Sequence, residues 1–102
     1  MALTEAPVLK LPDFTRPFEI HTDASAQALG AVLIQRDDVD APHAVAYWSR
    51  KLQDVEGRYP PIDQEALAVV EAVRVFNPYV YGRHFTIVTD HRPLTYAFTR
   101  KT

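Results

Sequence analysis

The chain has 102 residues, 47% of them hydrophobic and 24% charged, which is the make-up of one globular domain and excludes a disordered tail or a fibre. It contains no cysteine, so disulfide frameworks and thiolate metal sites are excluded, and neither a signal-like N-terminus nor a run of about 18 apolar residues points to secretion or a membrane. The formal net charge of −2 argues against a general attraction to phosphate backbones, although cations bound to a few carboxylates would tip the balance toward basic. The expected setting is intracellular, cytoplasmic or nuclear, with no membrane partner.

Residues 1–17 hold Pro7, Pro12 and Pro17, which disfavour a helix, and are expected to form an extended connector. Val8, Leu9, Leu11 and Phe14 are available there to lie against a core. The domain proper is expected over 18–102. Residues 18–23 alternate with period two, predicting a half-buried strand that ends on Asp23 at the Asp-Ala-Ser turn. Two further β-prone runs, 31–34 and 44–49, flank a charged loop closed by Pro42, and the short connections favour an antiparallel meander. Pro60 and Pro61 open a helix in which Ile62, Ala66, Val69, Val73, Phe76 and Val80 recur at spacings of three and four. Asn77-Pro78 and Gly82 mark its end. Residues 84–89 predict a fourth strand leading to Asp90, and Pro93 opens a second helix over 94–98. Three strands, a helix and a strand form an α/β order in which a right-handed crossover lays the fourth strand parallel to the first.

That topology would set Asp23 and Asp90 side by side at one sheet edge. Glu65 lies in the first turns of the helix, on a line with Val69, Ala72 and Phe76, so a carboxylate is aimed at the sheet. Three like charges that close are unfavourable, on the order of 4 kcal/mol for each pair at about 4 Å and an effective dielectric near 20. A cation would relieve this. Hard oxygen ligands suit Mg²⁺ or Mn²⁺, and two such ions about 4 Å apart can activate a water and stabilise a leaving oxygen in phosphodiester hydrolysis. Each residue also has a plain structural reading: Asp23 holding its turn, Asp90 capping the next helix, Glu65 complementing the positive end of its own.

Five segments occur in a distinctive order: Phe18-Glu-Ile-His-Thr-Asp-Ala-Ser, Gly30-Ala-Val-Leu-Ile-Gln, Ala46-Tyr-Trp-Ser-Arg-Lys-Leu, Tyr59 to Glu65 followed by Ala-Leu-Ala-Val-Val, and Thr89-Asp-His-Arg-Pro-Leu. Together they resemble the ribonuclease H domain of gypsy-type, retrovirus-like retrotransposon reverse transcriptases, over nearly the whole chain. The resemblance implies a ribonuclease H-like mixed sheet with helices packed on it. It also implies metal-dependent cutting of the RNA strand of RNA/DNA hybrids, with Asp23, Glu65 and Asp90 as catalytic carboxylates holding two Mg²⁺ or Mn²⁺ ions. A reverse transcriptase polymerase domain in the parent polyprotein is the implied partner. Ser25, Ser49, Arg50, His91 and Arg92 are weaker candidates for contacts to substrate, as is Lys51.

Two departures from the family pattern stand out. Pro60 occupies a position where the family usually has serine or threonine, and nothing corresponds to the family's fifth strand and last helix with its fourth acidic ligand. A C-terminally truncated sheet is therefore expected, with the fourth strand as an unpaired edge open to self-association. The contrasting reading is a noncatalytic, domesticated or truncated module that serves protein interaction or oligomerisation.

Overall fold

In the computed structural model, which describes residues 8–25, 27–89 and, as backbone, 92–98, the period-two segment forms strand β1 (Phe18–Ala24). Its partner β2 (Ala28–Arg36) runs antiparallel to it, and β3 (Pro42–Lys51) runs antiparallel to β2. Turn chemistry explains both reversals. Ser25 Oγ accepts the backbone N–H groups of Gln27 at 3.2 Å and Ala28 at 3.1 Å, closing the first turn. In the second, Asp37 Oδ1 accepts the N–H groups of Val39 and Ala41, and Asp40 takes the left-handed conformation (φ 65°) that aspartate tolerates. Leu29 to Gln35 are all buried, so β2 reads as a continuous apolar run rather than an alternation.

The crossover to β4 (Arg83–Thr89) carries a 3-10 turn (Glu56–Arg58), helix α1 (Pro61–Val75) and the short α2 (Asn77–Val80). β4 lies parallel to β1, with Phe18 opposite Phe85 and Ile20 opposite Ile87. The expected mixed sheet, with its fourth strand parallel to the first, is the one observed.

The expectation for residues 94–98 is corrected. They belong to a strand, β5 (Arg92–Phe98), antiparallel to β4 with Ile87 opposite Leu94, and the sheet order is β3-β2-β1-β4-β5. Thr95, Tyr96 and Phe98 are β-favouring types, and β5 starts three residues after β4 ends, a spacing suited to a hairpin. Pro93 is compatible with an edge strand, where a missing donor is tolerated. The fourth strand is therefore paired on both sides, and self-association through it loses its basis.

The face of α1 is corrected in part: Val69, Ala72, Val73, Phe76 and Val80 lie in or against the core as expected, whereas Ile62 and Ala66 do not. Its buried line is Gln64, Ala68 and Ala72, continued by Phe76, whereas Ile62 is 73% exposed and Ala66 also faces outward. Small alanines let the helix backbone approach the sheet closely, and the bulkier Val69, Val73 and Val75 pack at the flanks. Val80, expected on the same helix, belongs to α2 after the break at Phe76 and is buried in the core. That core joins Phe18, Ile20, Ala31, Leu33, Phe85 and Ile87 of the sheet to Ala72, Phe76 and Val80.

Among the described residues of the lead-in, Phe14 makes the aromatic contacts with the body. Its ring stacks on Tyr79 at 6.5 Å and meets Phe18 edge-on at 5.8 Å, while Val8 and Leu11 are more than nine-tenths exposed. The polar clasp is Gln35, whose side chain accepts Asp13 N–H and donates to the carbonyls of Asp13 and Arg16. Among the described residues, no helix is long and apolar enough to cross a membrane.

Candidate functional site

Because β1 and β4 are parallel and β2 is antiparallel to β1, the end of β1, the start of β2, the end of β3 and the end of β4 share one edge of the sheet. The start of α1 meets the same edge. Thr22, Asp23, Ala24, Glu65, Ala68 and Thr89 line a single cavity of about 70 Å³ there. A water molecule's share of liquid is roughly 30 Å³, so the space suits a small ion or one or two waters. Ala68, one helical turn beyond Glu65, contributes only a methyl group to the wall.

The structure thus brings together Asp23 and Glu65, which are 42 positions apart in the chain. Both are exposed, and neither carboxylate has a hydrogen-bond or ion-pair partner among the described residues. The turn after β1 is held by the Ser25 hydroxyl, so the turn does not account for the carboxylate of Asp23. Asp90 and His91 lie outside the described residues, as does the side chain of Arg92; Thr89, the neighbour of Asp90, is in the cavity wall. No group of three metal-ligating side chains occurs among the described residues. The donor set of the wall is carboxylate and hydroxyl oxygen, without sulfur or imidazole, and so fits a hard divalent cation such as Mg²⁺ or Mn²⁺.

The other sequence candidates are placed differently. Ser25 is engaged in its own turn, and Ser49 is exposed on β3 opposite Gly30. The half-buried Arg50 is engaged by neighbouring residues of the chain. Its Nη1 and Nη2 donate to the two oxygens of Glu56 at 2.8 and 3.0 Å, and Nη2 also donates to Glu71 at 3.2 Å. The Arg50 guanidinium, with help from the Gln53 N–H, holds the Glu56 carboxyl down at about 2. Glu71 is also held below its ordinary value, first by Arg74 and then by Arg50.

A wider groove of about 670 Å³ lies beside the cavity, lined by Gln27, Ala28, Lys51, Leu52 and Gln53 together with Asp54, Gly57 and Arg58. Gln27 belongs to the turn that follows Asp23. Lys51 and Arg58 have no ion-pair partner among the described residues, unlike Arg16, Arg36, Arg50 and Arg74. Gln27 and Arg58 were not legible as site residues in the sequence, because only the fold sets the turn after β1 against the segment between β3 and α1.

A family model described as the RNase H-like domain found in reverse transcriptase matches residues 13–102. The chain is 48% identical over 92 residues to the retrovirus-related Pol polyprotein from transposon 412 of Drosophila melanogaster, an alignment covering 90% of this chain and 7% of the polyprotein. It is 41% identical over 95 residues to the corresponding polyprotein from transposon gypsy of the same organism, covering 92% of this chain and 9% of that one. It therefore spans less than a tenth of these curated relatives. Among solved structures, a foamy viral protease-reverse transcriptase in complex with dsDNA superposes with a TM-score of 0.67 over 79% of this chain and 16% of that one. At 15% identity that likeness is one of fold.

Proposed function

This chain belongs to the family of RNase H-like domains found in reverse transcriptase, and from that premise we propose that it hydrolyses the RNA strand of RNA/DNA hybrids by a metal-dependent endonucleolytic reaction. One observation carries the reading: two carboxylates without partners, Asp23 and Glu65, line one small oxygen-walled cavity where two parallel strands end. Asp23, Glu65 and Asp90 would hold two divalent ions. When bound, such ions lower the pKa of a water and stabilise the charge on the departing oxygen of a phosphodiester.

The chain's own residues would supply the geometry. Asp23 sits on a strand flanked on both sides, Glu65 on a helix docked through alanines, so both carboxylates rise from rigid elements. Lys51 and Arg58, in the neighbouring groove, would meet the phosphate backbone, an attraction that weakens steeply as salt is raised. The domain would act within a retroelement polyprotein, beside its polymerase part, in the cytoplasm or nucleus.

The test is cleavage of a labelled RNA/DNA hybrid by the purified chain in Mg²⁺ and in Mn²⁺, with Asp23→Asn and Glu65→Gln alongside. Metal-dependent cutting by the native chain and background cutting by both variants is the expected result. No cutting in either metal removes the enzyme reading and leaves a noncatalytic interaction module.

A further inference from the structure

Helix α1 meets the sheet most closely through Ala68 and Ala72, with Val69, Val73, Val75 and Phe76 packed against the core, and such apolar contact is strong but non-directional. Its N-cap, Pro60, makes no side-chain hydrogen bond to the first turn. Glu65 nevertheless has to face the end of β1 to within a fraction of an ångström if it is to share an ion with Asp23. A polar network adds a directional hold. The Gln64 amide, one residue before Glu65 and 8% exposed, donates to the carbonyl of Glu56 at 3.2 Å. The Glu56 carboxylate in turn accepts the Gln53 N–H at 2.8 Å and the fork of Arg50 from β3. Arg50 then closes the circuit onto α1 through Glu71, which Arg74 holds from the other side.

We propose that Arg50 is a positioning residue for the candidate carboxylate site: by bridging Glu56 and Glu71 it locks α1, and Glu65 with it, against the end of the sheet. Both terminal nitrogens of its guanidinium are occupied by these carboxylates and by the carbonyl of Lys51, which leaves it poorly placed to receive a phosphate. A lysine could not reproduce the bridge, because the planar fork engages both oxygens of Glu56 while still reaching Glu71. The proposal rests on the reading of Asp23 and Glu65 as metal ligands, and its test separates the two.

Arg50→Gln, Arg50→Lys and a control of similar stability loss, Val45→Ala on the same strand, are compared with the native chain at a temperature where all are folded. Mn²⁺ affinity is measured by calorimetry, and amide hydrogen exchange residue by residue. Arg50→Gln is expected to weaken Mn²⁺ binding about tenfold or more, in the range seen for residues that orient metal ligands. It should also speed exchange over residues 64–71 about tenfold relative to β1 and β2, the mark of a local rather than global opening. Arg50→Lys should recover part of both effects, and Val45→Ala should leave Mn²⁺ affinity unchanged. Equal Mn²⁺ affinity and uniform exchange in Arg50→Gln and Val45→Ala would overturn the proposal. If the native chain binds no Mn²⁺, the metal reading falls by itself, and exchange confined to α1 or spread over the fold still decides the positioning role. Should Arg50→Gln not fold, Glu71→Gln removes only the helix side of the bridge and carries the same expectations.

Discussion

Glu56 is 8% exposed yet ionised, because the two Arg50 nitrogens and the Gln53 N–H surround its oxygens. Its carboxyl titrates at about 2 in the folded chain, against an ordinary value of 4.5. The sign of the linkage follows. The folded state holds this proton more weakly than the unfolded chain does, so the contribution to stability is complete above about pH 4.5 and is lost as pH falls toward about 2. Asp37, also held near 2 by His43 and by the Ala41 and Val39 N–H groups, adds a fall in the same window. Urea unfolding midpoints should therefore drop between pH 4.5 and 2, and Glu56→Gln should flatten that drop while lowering the midpoint at pH 7. A Glu56→Gln curve parallel to that of the native chain would show that another group governs acid unfolding. At this scale the sequence grouped Asp23, Glu65 and Asp90, and the structure brings the first two to one cavity, while Asp90 lies outside the described residues. The sequence counted Arg50 among candidate phosphate contacts, and nothing in the local pattern shows that Glu56 and Glu71 engage its guanidinium.

Elements were legible where their signals are local. Pro60-Pro61 marked the start of α1 and the alternation marked β1 to within a residue, whereas β2 runs three residues further N-terminal than the run 31–34 and α1 ends before Phe76. The face of α1 was legible only in part: Ala72 and Phe76 were placed on the inward line, but Ile62 was wrongly grouped with them and Ala68 was missed. Ile62 and the valines carry more apolar surface than Ala68 and Ala72, but close approach to a sheet selects small side chains, so the less hydrophobic line is the buried one. Two substitutions make the point measurable. Ala72→Leu, in a fully buried position, should cost about 1–3 kcal/mol through overpacking, whereas Ile62→Gln should change stability by no more than about 0.5 kcal/mol. Chemical denaturation of both variants checks the assignment, and the reverse ranking would place the apolar arc of the sequence against the core after all. The misreading of 94–98 has a similar origin: a proline followed by five mixed residues is ambiguous, and pairing with β4 decided it.

For the molecule as a whole, the lead-in is tied to the domain at several points. Lys10 N–H donates to Ala44, Gln35 clasps Asp13 and Arg16, Arg16 pairs with Asp38, and Arg83 reaches back to the carbonyl of Phe14. Gln35→Ala would strip three hydrogen bonds from this clasp and should cost about 1–3 kcal/mol. Limited trypsin digestion should then cut after Lys10, in the same lead-in, faster in the variant than in the native chain; equal rates would mean that the other ties suffice. Composition, period and turn chemistry determined from the sequence alone that this is one α/β domain with a fourth strand parallel to its first, since those signals act over a few residues and a handedness rule does the rest. That Ala68 rather than Ile62 faces the sheet, that Arg50 bridges two glutamates, and that Asp23, Glu65 and Thr89 wall one cavity were decided only by the tertiary structure. These are relations between residues far apart in the chain, set by close packing and by the pairing of buried charge, and no local pattern encodes them.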